Sequence, residues 1–235
     1  SNLVPDVVTA GGKTVAIRFP ENEIARELIK KSGVPVAAPS ANLSGRPSPT
    51  TAAHVAEDLS DKIDYIIDGG SCRVGLESTV IDLTVTPPRI LRPGGVSQET
   101  LAALLGEVTG YAPRDEDTTS PKSPGMKYKH YSPKANIVIV EGDIENFCRF
   151  VSENNKNGNY CLISDEDVKY DIPCRCLTYG KNSQQQAHNL FAKLRELDDL
   201  GAATVFVRPP SSKEDEGLAV YNRLLRAAGF EVISL

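Results

Sequence analysis

Ala38–Thr50 is the densest run of short polar side chains in the sequence, with Ser40, Asn42, Ser44, Ser48 and Thr50 set among Ala41, Gly45 and three prolines. Hydroxyls and amides of this size donate and accept at short reach, and alanine and glycine let a ligand approach the backbone. An apolar stretch, Val34–Ala38, leads into the run and a helical pattern leads out of it. A following helix N-terminus would add free N–H groups and a positive dipole end, which suit phosphate. No Gly-Lys-Ser/Thr is present, so this is not a Walker loop, and a Pro-Ser turn has the same composition. Gly75–Thr79 is a second cluster, placing the Ser78 and Thr79 hydroxyls where a strand begins; alone it reads equally as a hairpin. Leu91–Gly95 sets Arg92 at a strand end beside a turn, and Arg18 lies on the polar face of another strand. A guanidinium forks onto a phosphate or carboxylate, although a lone strand arginine is usually a solvated charge. Two such arginines and two hydroxyl-rich turns make a pocket for an anionic ligand if they share a face. Glu77, a single carboxylate, is weak evidence for orienting magnesium or a hydroxyl. Cys72 has no histidine near it in sequence and is expected in the core.

The elements that must position these residues fall into two blocks. In the first, to about Gly106, Thr14–Phe19 alternates and predicts a half-buried strand with Val15, Ile17 and Phe19 inward. Helices are predicted over Glu21–Lys31 and Thr51–Leu59, the second capped by Thr50 or Thr51, and another follows Ser97. Tyr65–Asp68, Ser78–Leu83 and Arg89–Arg92 read as strands. Strands and helices do not alternate strictly, so the block is α+β. From Ala135 they do alternate: strands over Ile137–Val140, Tyr160–Ser164, Cys174–Tyr179, Ala203–Val207 and Phe230–Ser234, helices over Ile144–Asn154, Ser183–Leu200 and Gly217–Ala228. That order predicts right-handed crossovers and a mainly parallel, Rossmann-like, doubly wound sheet. The expected domains are 1–108, a linker over 109–134 and an α/β domain over 135–235. The linker is rich in proline and lysine yet holds Tyr128, His130 and Tyr131, which argues against plain disorder.

Composition narrows the field. The chain has 235 residues, 40% hydrophobic and 24% charged, with no tryptophan. No apolar run approaches the roughly 18 residues of a membrane span, and no signal segment opens the chain. The net charge of −5 gives no global field to attract nucleic acid. Five cysteines without C-x-x-C spacing, and three scattered histidines, predict reduced thiols, no metal site and a cytoplasmic address. The only methionine is Met126 and the first residue is serine, which fits either initiator removal or a start inside a longer product.

Four segments in order and spacing carry a specific resemblance: Thr-Val-Ala-Ile-Arg-Phe-Pro (Thr14–Pro20), Ala-Pro-Ser-Ala-Asn-Leu-Ser-Gly (Ala38–Gly45), Gly-Leu-Glu-Ser-Thr-Val (Gly75–Val80) and Leu-Arg-Pro-Gly-Gly (Leu91–Gly95). With Ser123–Pro133 and the alternating final block, the whole chain resembles the longer, two-domain form of the YrdC-type threonylcarbamoyl-AMP synthases. The resemblance implies joining of L-threonine, bicarbonate and ATP into threonylcarbamoyl-adenylate, with release of pyrophosphate. Magnesium would arrive with ATP, and the product would pass to the machinery that threonylcarbamoylates tRNA.

By the same resemblance Arg18, Ala38 and Ser78 would bind threonine, and Ser40, Asn42, Ser48, Arg92 and Tyr131 would bind ATP. Lys127 and His130 would belong to a lid formed by the linker, and no catalytic residue or metal ligand is assigned. The family's catalytic domain begins well upstream of the first residue here. The first block is therefore expected to be partial, to expose apolar surface and to be inactive on its own. The alternative reading is a non-catalytic module that binds double-stranded RNA or tRNA weakly through the lysine-rich linker. A carbamoyl-transfer domain of hydrogenase maturation fits less well, because zinc-finger cysteines are missing.

Overall fold

Ile137, Val138, Ile139 and Val140 are all buried, and they divide by parity: Ile137 and Ile139 enter one apolar cluster, Val138 and Val140 another. A strand that buries both faces belongs in the middle of a covered sheet. That strand, β3 (Asn136–Glu141), pairs in parallel with β6 (Thr204–Val207) and β7 (Val232–Ser234), and β6 pairs with β4 (Tyr160–Ile163), which pairs with β5 (Arg175–Thr178). The five-stranded order is β5-β4-β6-β3-β7, all parallel, as the alternation of the final block requires. One face is covered by α5 (Ile144–Asn154), through Ile144, Phe147 and Val151. The other is covered by α6 (Ser183–Asp199) and α7 (Asp215–Ala227), which present Leu190, Phe191, Leu194, Val220 and Leu224.

This computed structural model describes residues 4–9, 11–112 and 131–235. The chain divides into two compact units, Ser1–Pro39 and Ser40–Leu235. The smaller contains α1 (Asp6–Thr9) and α2 (Glu23–Ser32), the latter capped by the Asn22 side chain accepting from Ala25 N at 2.9 Å and ended by Gly33 in the left-handed region. Thr14–Phe19 does not form the expected strand: it joins no ladder, and Ile17 and Phe19 are 87% and 86% exposed. Alternation alone makes no strand, since the backbone groups need a paired neighbour, and the described residues supply none.

The larger unit adds α3 (Ala52–Leu59), an antiparallel pair β1 (Val80–Asp82) and β2 (Arg89–Arg92), and α4 (Gln98–Leu105). Thr51 and Ser97 cap α3 and α4 as expected. Tyr65–Asp68 is irregular and exposed instead of a strand, for the same want of a partner. Cys72 is exposed rather than in the core: it lies in an irregular segment outside any helix or strand, with its N–H donating to Thr50 O at 2.9 Å. The linker begins within the fold, with Thr109 bridged to Arg89 beside β2. Residues 113–130, with Lys127 and His130, lie outside the described residues. Among the described residues no helix is long and apolar enough to cross a membrane.

Candidate active site

The polar turn after Ser40 is shaped by its own side chains. Asn42 Nδ2 donates to Leu43 O at 2.9 Å and to Arg46 O at 3.1 Å, closing a loop in which Gly45 takes φ +90°. The loop is tied down from two sides. Leu43 N donates to Asp58 Oδ2 at 3.3 Å, and Ser132 N donates to Gly45 O at 3.0 Å. Asp58, on α3, is 2% exposed and also accepts from Arg46 and from Arg195 of α6, the latter at 2.7 Å. Arg195 Nη2 further donates to Pro47 O at 2.7 Å, so a buried arginine of the parallel domain holds the backbone next to Ser48. The expected helix N-terminus is present but partly spent: His54 N is taken by Thr51 Oγ1 at 3.3 Å.

Gly75 opens the second turn in the left-handed region and packs against the backbone of α6, where a Cβ would come 2.3 Å from His188 O. Glycine is required there for its conformation and for the close approach. His188 Nδ1 lies 2.9 Å from Arg73 O, a second tie to the same helix. Two residues on, Glu77 Oε1 accepts from Ser48 Oγ at 2.6 Å and Oε2 accepts from Arg223 Nε of α7 at 3.0 Å. Burial pushes the Glu77 carboxyl up, but Arg223, the Ser48 hydroxyl and Arg92 outweigh it, and it stays below the usual carboxylate range. The third turn closes over this pair. Arg92 donates to Ser78 O from Nε and Nη2 at 3.2 and 3.1 Å, and a Cβ on Gly94 would come 2.5 Å from Glu77 O.

The structure thus brings Ser48, Ser78 and Arg92 together around Glu77. Tyr131 joins them from the far end of the linker: its ring packs 5.2 Å from Phe191, and burial, then the Glu77 charge, raise its phenol above the ordinary value. Asn42 is turned onto its own loop, and Ser40 stands exposed at the start of the turn. Arg18 and Ala38 are exposed residues of the smaller unit. Sequence reasoning missed Asp58, Arg195 and Arg223. A signal existed, since Arg223 stands three residues after Val220 and four before Ala227, in phase with the apolar face of α7. An arginine in that phase needs a buried acceptor. Glu77, weak as a lone carboxylate, is the hub.

Fold and site together define a two-module protein, in which the outer helices of a parallel α/β domain floor the polar turns of an α+β block. Residues 1–94 match the Sua5, YciO and YrdC family model, described as telomere recombination, and residues 96–229 match the threonylcarbamoyl-AMP synthase C-terminal domain. The chain belongs to the threonylcarbamoyl-AMP synthase family. Over 244 residues it is 42% identical to the threonylcarbamoyl-AMP synthase of Pyrococcus abyssi, covering all of this chain and 70% of the relative. The Schizosaccharomyces pombe synthase is 41% identical, over 96% of this chain and 60% of its own length. The Bacillus subtilis synthase is 40% identical, over 96% and 66%. The crystal structure of P. abyssi Sua5 complexed with L-threonine superposes with a TM-score of 0.90 at 41% identity, covering 100% of this chain and 70% of that one. The chain spans about 60–70% of the length of these relatives.

Proposed function

We propose that the chain is an L-threonylcarbamoyladenylate synthase. The threonine amine would add to bicarbonate carbon with loss of water, giving a carbamate. A carbamate oxygen would then attack the α-phosphorus of ATP, and the bond to the β-phosphate would break to release pyrophosphate. Such chemistry needs orientation and charge neutralisation more than a covalent participant. Arg18, Ala38 and Ser78 would take threonine; Ser40, Asn42, Ser48, Arg92 and Tyr131 would take ATP. Magnesium would arrive on the triphosphate as part of the substrate, and the described residues hold no cluster of three or more metal-ligating side chains. Carbamate and mixed anhydride are both consumed by water, so a cover is wanted, and Lys127 and His130 of the linker are assigned to it. The adenylate would pass to the tRNA-modifying machinery.

The observation that carries this reading is the joining of all three motif turns of the larger unit by Glu77, through Ser48, Arg92 and the Gly94 contact. It is supported by the likeness of the whole of this chain to 70% of a protein solved with L-threonine. The test is pyrophosphate release by the protein, which should require both threonine and bicarbonate. Release independent of threonine would count against it. A hydrogen bond to a charged group is worth about 1.5–3 kcal/mol, so Arg92→Ala should raise the KM for ATP about 10- to 150-fold. An ATP KM left at the parent value would remove Arg92 from the site.

A further inference from the structure

Glu77 is assigned to neither substrate, yet it decides how Ser48 is presented. Its partner Arg223 is fully buried and committed on every nitrogen: Nε to Glu77 Oε2 at 3.0 Å, Nη1 to Pro93 O at 2.6 Å, Nη2 to Glu77 O at 3.2 Å. A planar guanidinium so held cannot turn, and it fixes the carboxylate in place and orientation. The carboxylate in turn fixes Ser48. A serine hydroxyl has three staggered positions and a freely rotating proton, and the 2.6 Å bond to Glu77 Oε1 selects one of each. Since an ionised carboxylate only accepts, the Ser48 proton is spent on it, and the hydroxyl offers any ligand its lone pairs.

We propose that Arg223, from the C-terminal domain, is a positioning residue for nucleotide binding. It acts through Glu77 to hold Ser48 as a hydrogen-bond acceptor, matched to a donor group of the nucleotide such as a ribose hydroxyl or the exocyclic amine. The inference rests on the reading of Ser48 as an ATP ligand. It gives the parallel domain a part in substrate recognition beyond support, because the fork that sets Ser48 stands on α7.

The test is a double-mutant cycle on ATP affinity, with L-threonine affinity measured alongside. One neutral hydrogen bond is worth about three- to tenfold, so Arg223→Lys and Ser48→Ala should each weaken ATP by about that factor. If Arg223 acts through Ser48, the double variant should bind ATP within about twofold of Ser48→Ala alone, and threonine affinity should stay at the parent value. A purely structural arginine would instead give additive losses, or losses shared equally by both substrates, and either result overturns the proposal. So does parent-like ATP affinity in Arg223→Lys with Ser48→Ala impaired. Parent-like affinity in Ser48→Ala removes the Ser48 reading itself, and the inference with it. Should Arg223→Lys fail to fold, the pair Glu77→Gln with Arg223→Gln removes both partners of this ion pair together, and parent-like ATP affinity there refutes the proposal equally.

Discussion

Replacing Asp58 by alanine should cost the larger unit about 3–5 kcal/mol, the range for breaking a buried ion pair by removing one partner. The residue left behind is Arg195, whose side chain is 2% exposed and bonds both Asp58 oxygens, at 3.3 and 2.7 Å. Arg46, more open to solvent, keeps Glu57 Oε1 at 2.7 Å and loses less. At this chain length each kcal/mol shifts the melting temperature by about 2–4 °C, so a fall of roughly 6–20 °C is expected. The same pair sets an acid limit. Burial raises the Asp58 carboxyl, but Arg195 and then Arg46 and Leu43 N–H outweigh it and leave it depressed. A depressed folded value means the contribution is complete above the unfolded value of about 3.9 and is lost as pH falls through the folded one. The parent should therefore lose stability below about pH 4 more steeply than Asp58→Ala. Equal melting temperatures for the two proteins at neutral pH would refute the assignment.

The second large effect is expected at Gly75. A methyl group there would meet His188 O at 2.3 Å and Ala187 O at 2.6 Å, both backbone atoms of a packed helix that cannot swing aside. Overpacking of that kind costs about 1–3 kcal/mol and the left-handed backbone adds about 1–2, giving roughly 2–5 kcal/mol for Gly75→Ala. Gly70 is the internal comparison: it has the same φ of +81°, but a Cβ there meets nothing within 4 Å. Gly70→Ala should lose only the backbone part. Urea midpoints separate the two, and coincident curves would show that the turn does not pack on α6 as described.

The alternating final block was readable because a strand covered on both faces and a helix covered on one have different periods. Ile137–Val140 and Phe191–Leu194–Leu197 carry those periods plainly. The helix caps at Thr51 and Ser97 were readable for an equally local reason. What the pattern lacked was a second covering. α7 turns Val220, Leu224 and Ala227 to the sheet while Arg223 is buried on Glu77 and Pro93 of the first block, and Asn222 and Arg226 on Tyr111 of the linker. Of these only Arg223 carries a signal in the sequence, its phase with Val220 and Ala227, and that phase names no acceptor. Thr14–Phe19 failed in the opposite way: it has the alternation of a strand but no neighbour among the described residues to complete one. The site was legible as motifs, Ser48, Ser78 and Arg92 among them. Its hub was not, because Glu77 gains its meaning only from Arg223, 146 residues away.

The most direct test of the account is the mass of the product. Given ATP, L-threonine and 13C-bicarbonate, the protein should yield threonylcarbamoyl-adenylate carrying one labelled carbon, together with pyrophosphate. AMP or ADP alone, or an adenylate of threonine without the label, would contradict it.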